Sequence, residues 1–167
     1  MTLPEVFVAN EQQDKPIDTD RWMHLAQQVL KAEGIHDKAE LCLLFVDKLT
    51  IAELNKRFLG KDYPTDVLAF PLDEEAVDVG RFPDSGGSGP GWSQSEEEVP
   101  RLVGDVVISP LVAFENAKNY NKEFEDEIAL LVVHGILHLL GMDHMEDQEA
   151  EVMEKREQEL LSQFYRQ

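Results

Sequence analysis

Two periods of apolar residue run along this chain, and the places where one gives way to the other mark out its elements. EVFVA at 5–9 reads as a short strand. From 19 to about 32, Trp22, Leu25, Val29 and Leu30 fall on one face of a 3.6-residue repeat, which predicts a helix capped by Asp18 or Thr19 and stopped by Gly34. ELCLLFVD at 40–47 is short and rich in apolar residues, as a buried strand is, and implies a buried thiol at Cys42. Thr50-Ile-Ala-Glu53 has the form of a capping box and predicts a helix from Ile51 to about Phe58. VLAF, between Pro64-Thr65 and Pro71, and LVGDVVI at 102–108 read as two more strands. Ser109-Pro110 pairs an N-cap with a proline in the first helical position and opens a helix ending near Asn119. Helices from about Glu123 to Leu140, stopped by Gly141, and from about Gln148 to Phe164 complete the chain. Four strands and five helices in the order β-α-β-α-β-β-α-α-α suit an α+β fold, a four-stranded mixed sheet covered by about five helices. The stretch 72–100 has no periodicity and contains DSGGSGPG at 84–91; it reads as a mobile acidic loop inside one domain spanning 1–167.

Composition narrows the class. With 43% hydrophobic and 29% charged residues, the chain matches a soluble globular protein. The longest apolar run, Ile128–Leu140, is interrupted by two histidines and falls short of the ~20 residues a spanning helix needs, so no membrane association is expected. The N-terminus lacks a basic start and a long apolar run, and Cys42 is the only cysteine; both point to the cytoplasm. The net charge of −19 argues against tight binding of nucleic acid. Its distribution is uneven, however: between Lys48 and Lys61 four bases face Glu53 alone, so a local basic strip or an ordinary solvated helix face is equally consistent with that segment.

The chemistry concentrates in ALLVVHGILHLLGMDHMED, which holds three of the five histidines. His134 and His138 are four apart, so both leave the same helix face one turn from each other. A lone histidine on an apolar face is ordinarily a satisfied core residue. Two at ligand spacing, among Leu, Val and Ile that offer no side-chain partner, point instead to a shared ion. Gly141 ends the helix, and the return through Met142-Asp143 can bring His144 in as a third ligand. Three nitrogens leaving a fourth position open describe a catalytic zinc site at the end of a central buried helix. The other two histidines, His24 and His36, are isolated and read as incidental. The spacing is also that of the metzincin proteases, but those carry a glutamate base where this chain has Gly135, and no Met-turn follows. A metzincin-like metalloprotease is therefore a remote alternative.

HGILHLLGMDH at 134–144, PTDVLAFP at 64–71 and VGDVVIS at 103–109 together resemble the signature blocks of the YbeY family of bacterial metallo-endoribonucleases, over about residues 40–160. The resemblance implies a single-strand-specific, zinc-dependent endoribonuclease of the bacterial cytoplasm. Such an enzyme acts in maturation of the 3′ end of small-subunit (16S) rRNA and in late-stage ribosome quality control. It also implies one zinc ion held by His134, His138 and His144, and as partners single-stranded RNA and the small ribosomal subunit or its proteins. Two departures stand out. Leu59 occupies the place of an arginine that precedes Gly60-Lys61-Asp62 in many members, and Ala69 replaces a serine. Arg57 does not substitute for that arginine, because on a helix it projects about 160° away from position 59.

No glutamate base lies in the motif. Asp66, Asp105 and Asp143 are the candidates, although Asp143 more naturally orients a ligand imidazole and Asp66 equally suits a turn cap. Lys56, Arg57 and Lys61 are the candidates for RNA contact. A second reading is a ribosome-assembly factor with a structural metal, docking through its acidic surface on basic ribosomal proteins.

Overall fold

The computed structural model describes residues 4–35, 39–71, 101–142 and 147–166, with the side chains of residues 101, 102 and 147 left out. Strands β1 (Glu5–Glu11), β2 (Ala39–Val46), β3 (Val67–Pro71) and β4 (Arg101–Ile108) form one sheet in the order β1-β2-β4-β3. The pairs β1/β2 and β2/β4 are parallel, while β3 runs antiparallel to β4 along one edge. The helices are α1 (Thr19–Ala32), α2 (Lys48–Leu59), α3 (Pro110–Asn119), α4 (Phe124–Leu139) and α5 (Asp147–Phe164). The fold is thus α+β with a four-stranded mixed sheet and, among the described residues, five helices, as the residue pattern predicts. None of these helices is long and apolar enough to cross a membrane. The acidic stretch 72–100 lies outside the described residues.

Period-two alternation sorts the strand residues onto two faces. Leu41, Leu43, Phe45, Val106 and Ile108 join α1, α4 and α5 in the main core. On the opposite face, Val46, Leu68 and Val107 pack with Ile51 of α2 in a smaller cluster. Cys42 belongs to that second face and is only half-buried, so the thiol is not the core residue its apolar neighbours imply. Burial, then the nearby Asp105, raises its pKa.

Three helix starts follow one rule: a side-chain oxygen accepts from a backbone N–H that the helix cannot satisfy. Asp18 caps α1 and Ser109 caps α3, with Pro110 in the first position. For α2 the cap is Asp47, whose carboxylate accepts from the Thr50 amide at 2.7 Å. The Thr50–Glu53 capping box therefore does not form. An acid one turn earlier takes the amide first and starts the helix at Lys48.

Candidate metal centre and its cleft

Helix α4 is apolar on nearly every side, as a helix in the middle of a core must be. From Glu127 to Leu139 every residue is buried except Leu130, His134 and His138, which lie four apart along a single stripe. The two histidines are thus half-exposed where that stripe meets solvent. Beside that stripe α4 is packed so closely on β4 that a Cβ at Gly135 would stand 2.6 Å from a methyl of Val106. No glutamate base has room at this position, which gives a packing reason for the residue that separates this motif from the protease one.

Each histidine has its Nδ1 held, neither by a neighbour on its own helix face. Nδ1 of His134 lies 2.5 Å from the Glu157 carboxylate, which α5 brings in and which is itself 5% exposed. Nδ1 of His138 lies 3.1 Å from the backbone carbonyl of Met142. That carbonyl is aimed by the turn ending α4. The amide of Met142 bonds back to the Leu137 carbonyl and that of Gly141 to the His138 carbonyl, with Gly141 at φ +104, the paired bonds of a Schellman motif. A carbonyl and a carboxylate only accept, so both contacts call for Nδ1–H, and in a neutral imidazole that tautomer leaves the lone pair on Nε2. Two imidazoles in this tautomer are the donor set that suits a zinc-type ion. Their planes are 10° apart and their centres 6.4 Å apart, about an ångström wider than two rings sharing one tetrahedral zinc. Among the described residues no third group completes a metal-ligand set, and His144 lies outside them.

The histidines open onto a cleft of about 410 Å³, lined by Phe58 and Leu59 of α2, the whole of β3 from Val67 to Pro71, and His134, Gly135 and His138. Its rim is apolar: Phe58 and Leu59 are 56% and 54% exposed, and the Phe58 ring meets Phe70 edge-on at 5.2 Å. Leu59 therefore faces the site, where an arginine would bring charge into it.

The other residues marked from sequence separate cleanly. Asp66, immediately before β3, accepts from the Asn116 amide at 3.1 Å and the Thr65 hydroxyl at 3.4 Å. Burial raises its pKa, opposed by its own and Val67's backbone amides; Glu127 raises it further and His134 lowers it. Asp66 thus shares the electrostatic surroundings of the histidines. Asp105 does not. It is exposed, pairs with Cys42 and Phe70, and sits beside Val106, so it points to the sheet face away from α4. Strand alternation, which puts 105 and 106 on opposite faces, removes it from the site. Asp143, like His144 and His36, lies outside the described residues. Lys56, Arg57 and Lys61 are exposed around the C-terminal end of α2 and do not line the cleft; Lys48 is paired with Glu115 at 3.1 Å.

Glu157 was not marked from sequence, yet a signal for it exists. It lies on the helical stripe Met153–Glu157–Leu160–Leu161, where an acid among core residues requires a buried partner. Asn116 carries no comparable signal.

Comparison with known proteins agrees with these blocks. Residues 7–165 match the family model described as Endoribonuclease YbeY. A protein of that name from Salinispora tropica is 41% identical over 157 residues, 94% of each chain. Its namesake from Staphylococcus epidermidis is 36% identical over 147 residues, 86% of each. A Thermotoga maritima protein solved in solution shares the fold with a TM-score of 0.55 at 28% identity, over 95% of this chain and 90% of that one. The His134–His138 pair, the cleft beside β3 and the match along nearly the entire chain thus lead to one conclusion: the chain belongs to the YbeY family of endoribonucleases.

Proposed function

We propose that this chain is a zinc-dependent endoribonuclease that cuts single-stranded RNA, acting in the cytoplasm on the 3′ end of small-subunit (16S) rRNA and in late-stage ribosome quality control. The observation that carries the reading is the pair of imidazoles, each with its Nδ1 against an oxygen, opening on a cleft, in a chain whose relatives are named endoribonucleases. His134 and His138 would hold the ion, with His144 as third ligand. When bound, the ion supplies a polarised phosphodiester oxygen or a water of lowered pKa. The chain's own residues do the rest. The apolar walls of Phe58, Leu59 and Phe70 offer surfaces to bases, which in a single strand are unpaired and able to stack. Asp66, whose pKa burial raises and whose charge couples to His134, is the base we favour.

Replacing both His134 and His138 by alanine is expected to abolish zinc retention and RNA cleavage together, read by elemental analysis and a single-stranded RNA assay. Full cleavage by the metal-free double variant would sink the assignment. The net charge of −19 and, among the described residues, a cleft lining without Lys or Arg favour a second reading, a ribosome-assembly factor with a structural metal. Chelation separates the two. Loss of cleavage with the fold retained supports the enzyme, whereas unfolding of a protein that never cleaved supports the assembly factor.

A further inference from the structure

Buried carboxylates are costly unless paired, and Glu157 is 5% exposed. Its neighbour Arg156 does not supply the pairing: that guanidinium is turned to Glu33, the C-cap of α1, at 2.8 Å and to Glu159 at 3.0 Å. The Glu157 carboxylate meets the His134 imidazole instead. The placement is fixed from several directions. Met153, Leu160 and Leu161 seat α5 in the core, Arg156 ties it to α1, and the Tyr165 hydroxyl donates to Asp126 of α4 at 2.7 Å. A second cavity of about 360 Å³, lined by His134, Ala150, Met153, Glu154 and Glu157, lies on the α5 side, so His134 stands between that cavity and the cleft. An imidazole in such a position can carry its proton on either nitrogen unless one is claimed.

We propose that Glu157 is a positioning residue of the metal centre, which holds His134 in the Nδ1–H form and thereby presents its Nε2 lone pair to a divalent zinc ion. A carboxylate on the far nitrogen also makes the imidazole the more basic ligand. The role rests on the metal reading above, and it assigns α5 a part in the site that the histidine motif does not contain.

Two measurements test it: zinc affinity, by competition with a chromogenic chelator, and the ring ¹⁵N shifts of the metal-free protein, which distinguish the two tautomers. Glu157→Leu is expected to weaken zinc binding roughly 10–100-fold and to leave His134 a mixture of tautomers. Glu157→Gln, whose side-chain oxygen still accepts from Nδ1–H, is expected to keep the tautomer and recover most of the affinity. Glu157→Leu with wild-type affinity and a single tautomer overturns the proposal, as does Glu157→Gln that is no better than the leucine variant. Wild-type metal-free protein with His134 protonated on Nε2 overturns it whether or not the variants fold. Wild-type protein that takes up no zinc overturns the metal reading itself, while the ¹⁵N shifts still report on the Glu157 contact.

Discussion

At the scale of single residues, the cleft sets apolar walls beside two histidines, and Leu59 is the position where chemistry and charge meet. A side chain there is half-exposed and lines the site, so restoring an arginine adds one cation within reach of a phosphate. Leu59→Arg is expected to lower the KM for single-stranded RNA and to steepen the slope of log affinity against log salt by roughly 0.7, the value for one added phosphate contact on a single strand. An unchanged salt slope would mean that RNA does not pass Leu59. Sequence reveals the histidines because helical spacing alone puts positions 134 and 138 on one face. Helical geometry also sets Arg57 about 160° from position 59, and Arg57 is exposed and not among the residues lining the cleft. Glu157 escapes notice because it is 23 residues from His134 in a helix crowded with glutamates; only its place on the apolar stripe sets it apart.

At the scale of elements, α4 and β4 touch where Gly135 meets Val106. Valine is branched at Cβ and stiff about χ1, and Val106 is fully buried, so it has little room to yield. Gly135→Ala is expected to cost about 1–3 kcal/mol and to lower the Tm by several degrees in calorimetry; an unchanged Tm would show that the strand and helix separate without penalty. The order and kind of every element are readable from hydrophobic period and caps, yet boundaries shift where two caps compete, as Asp47 overtakes Thr50. The alternation in VGDVVIS also contains the answer for Asp105, since a strand whose Val106 and Ile108 face the helices must turn Asp105 away. Strand order is another matter. Nothing local in VLAFP says that β3 runs antiparallel along the edge of β4 and lines the cleft; that follows from contacts made across the whole sheet.

At the scale of the molecule, α5 closes the structure by reaching α1 and α4 together. Tyr165 stacks on Trp22 with ring centres 6.1 Å apart and donates to Asp126. Burial first, then the Asp126 hydrogen bond and charge, push its pKa from 10.0 up to about 12. The unfolded chain therefore releases this proton before the folded one, so the contribution is intact below pH 10 and disappears as pH climbs towards about 12. Alkaline denaturation followed by circular dichroism is expected to show the wild type losing stability across that window and Tyr165→Phe losing less; parallel curves would assign the loss to other groups. The convergence of α4, its terminal turn and α5 on one pair of rings has a further outcome for sequence drift. His138 is aimed by a main-chain carbonyl, which every amino acid possesses, so exchanges at Met142 leave that acceptor in being so long as the turn survives. His134 is aimed by a side chain, the Glu157 carboxylate, which few other residues can replace. A saturation library across the site should therefore tolerate variety at 142 and little at 157, with the two halves of one symmetrical-looking pair differing sharply in how much mutation they absorb.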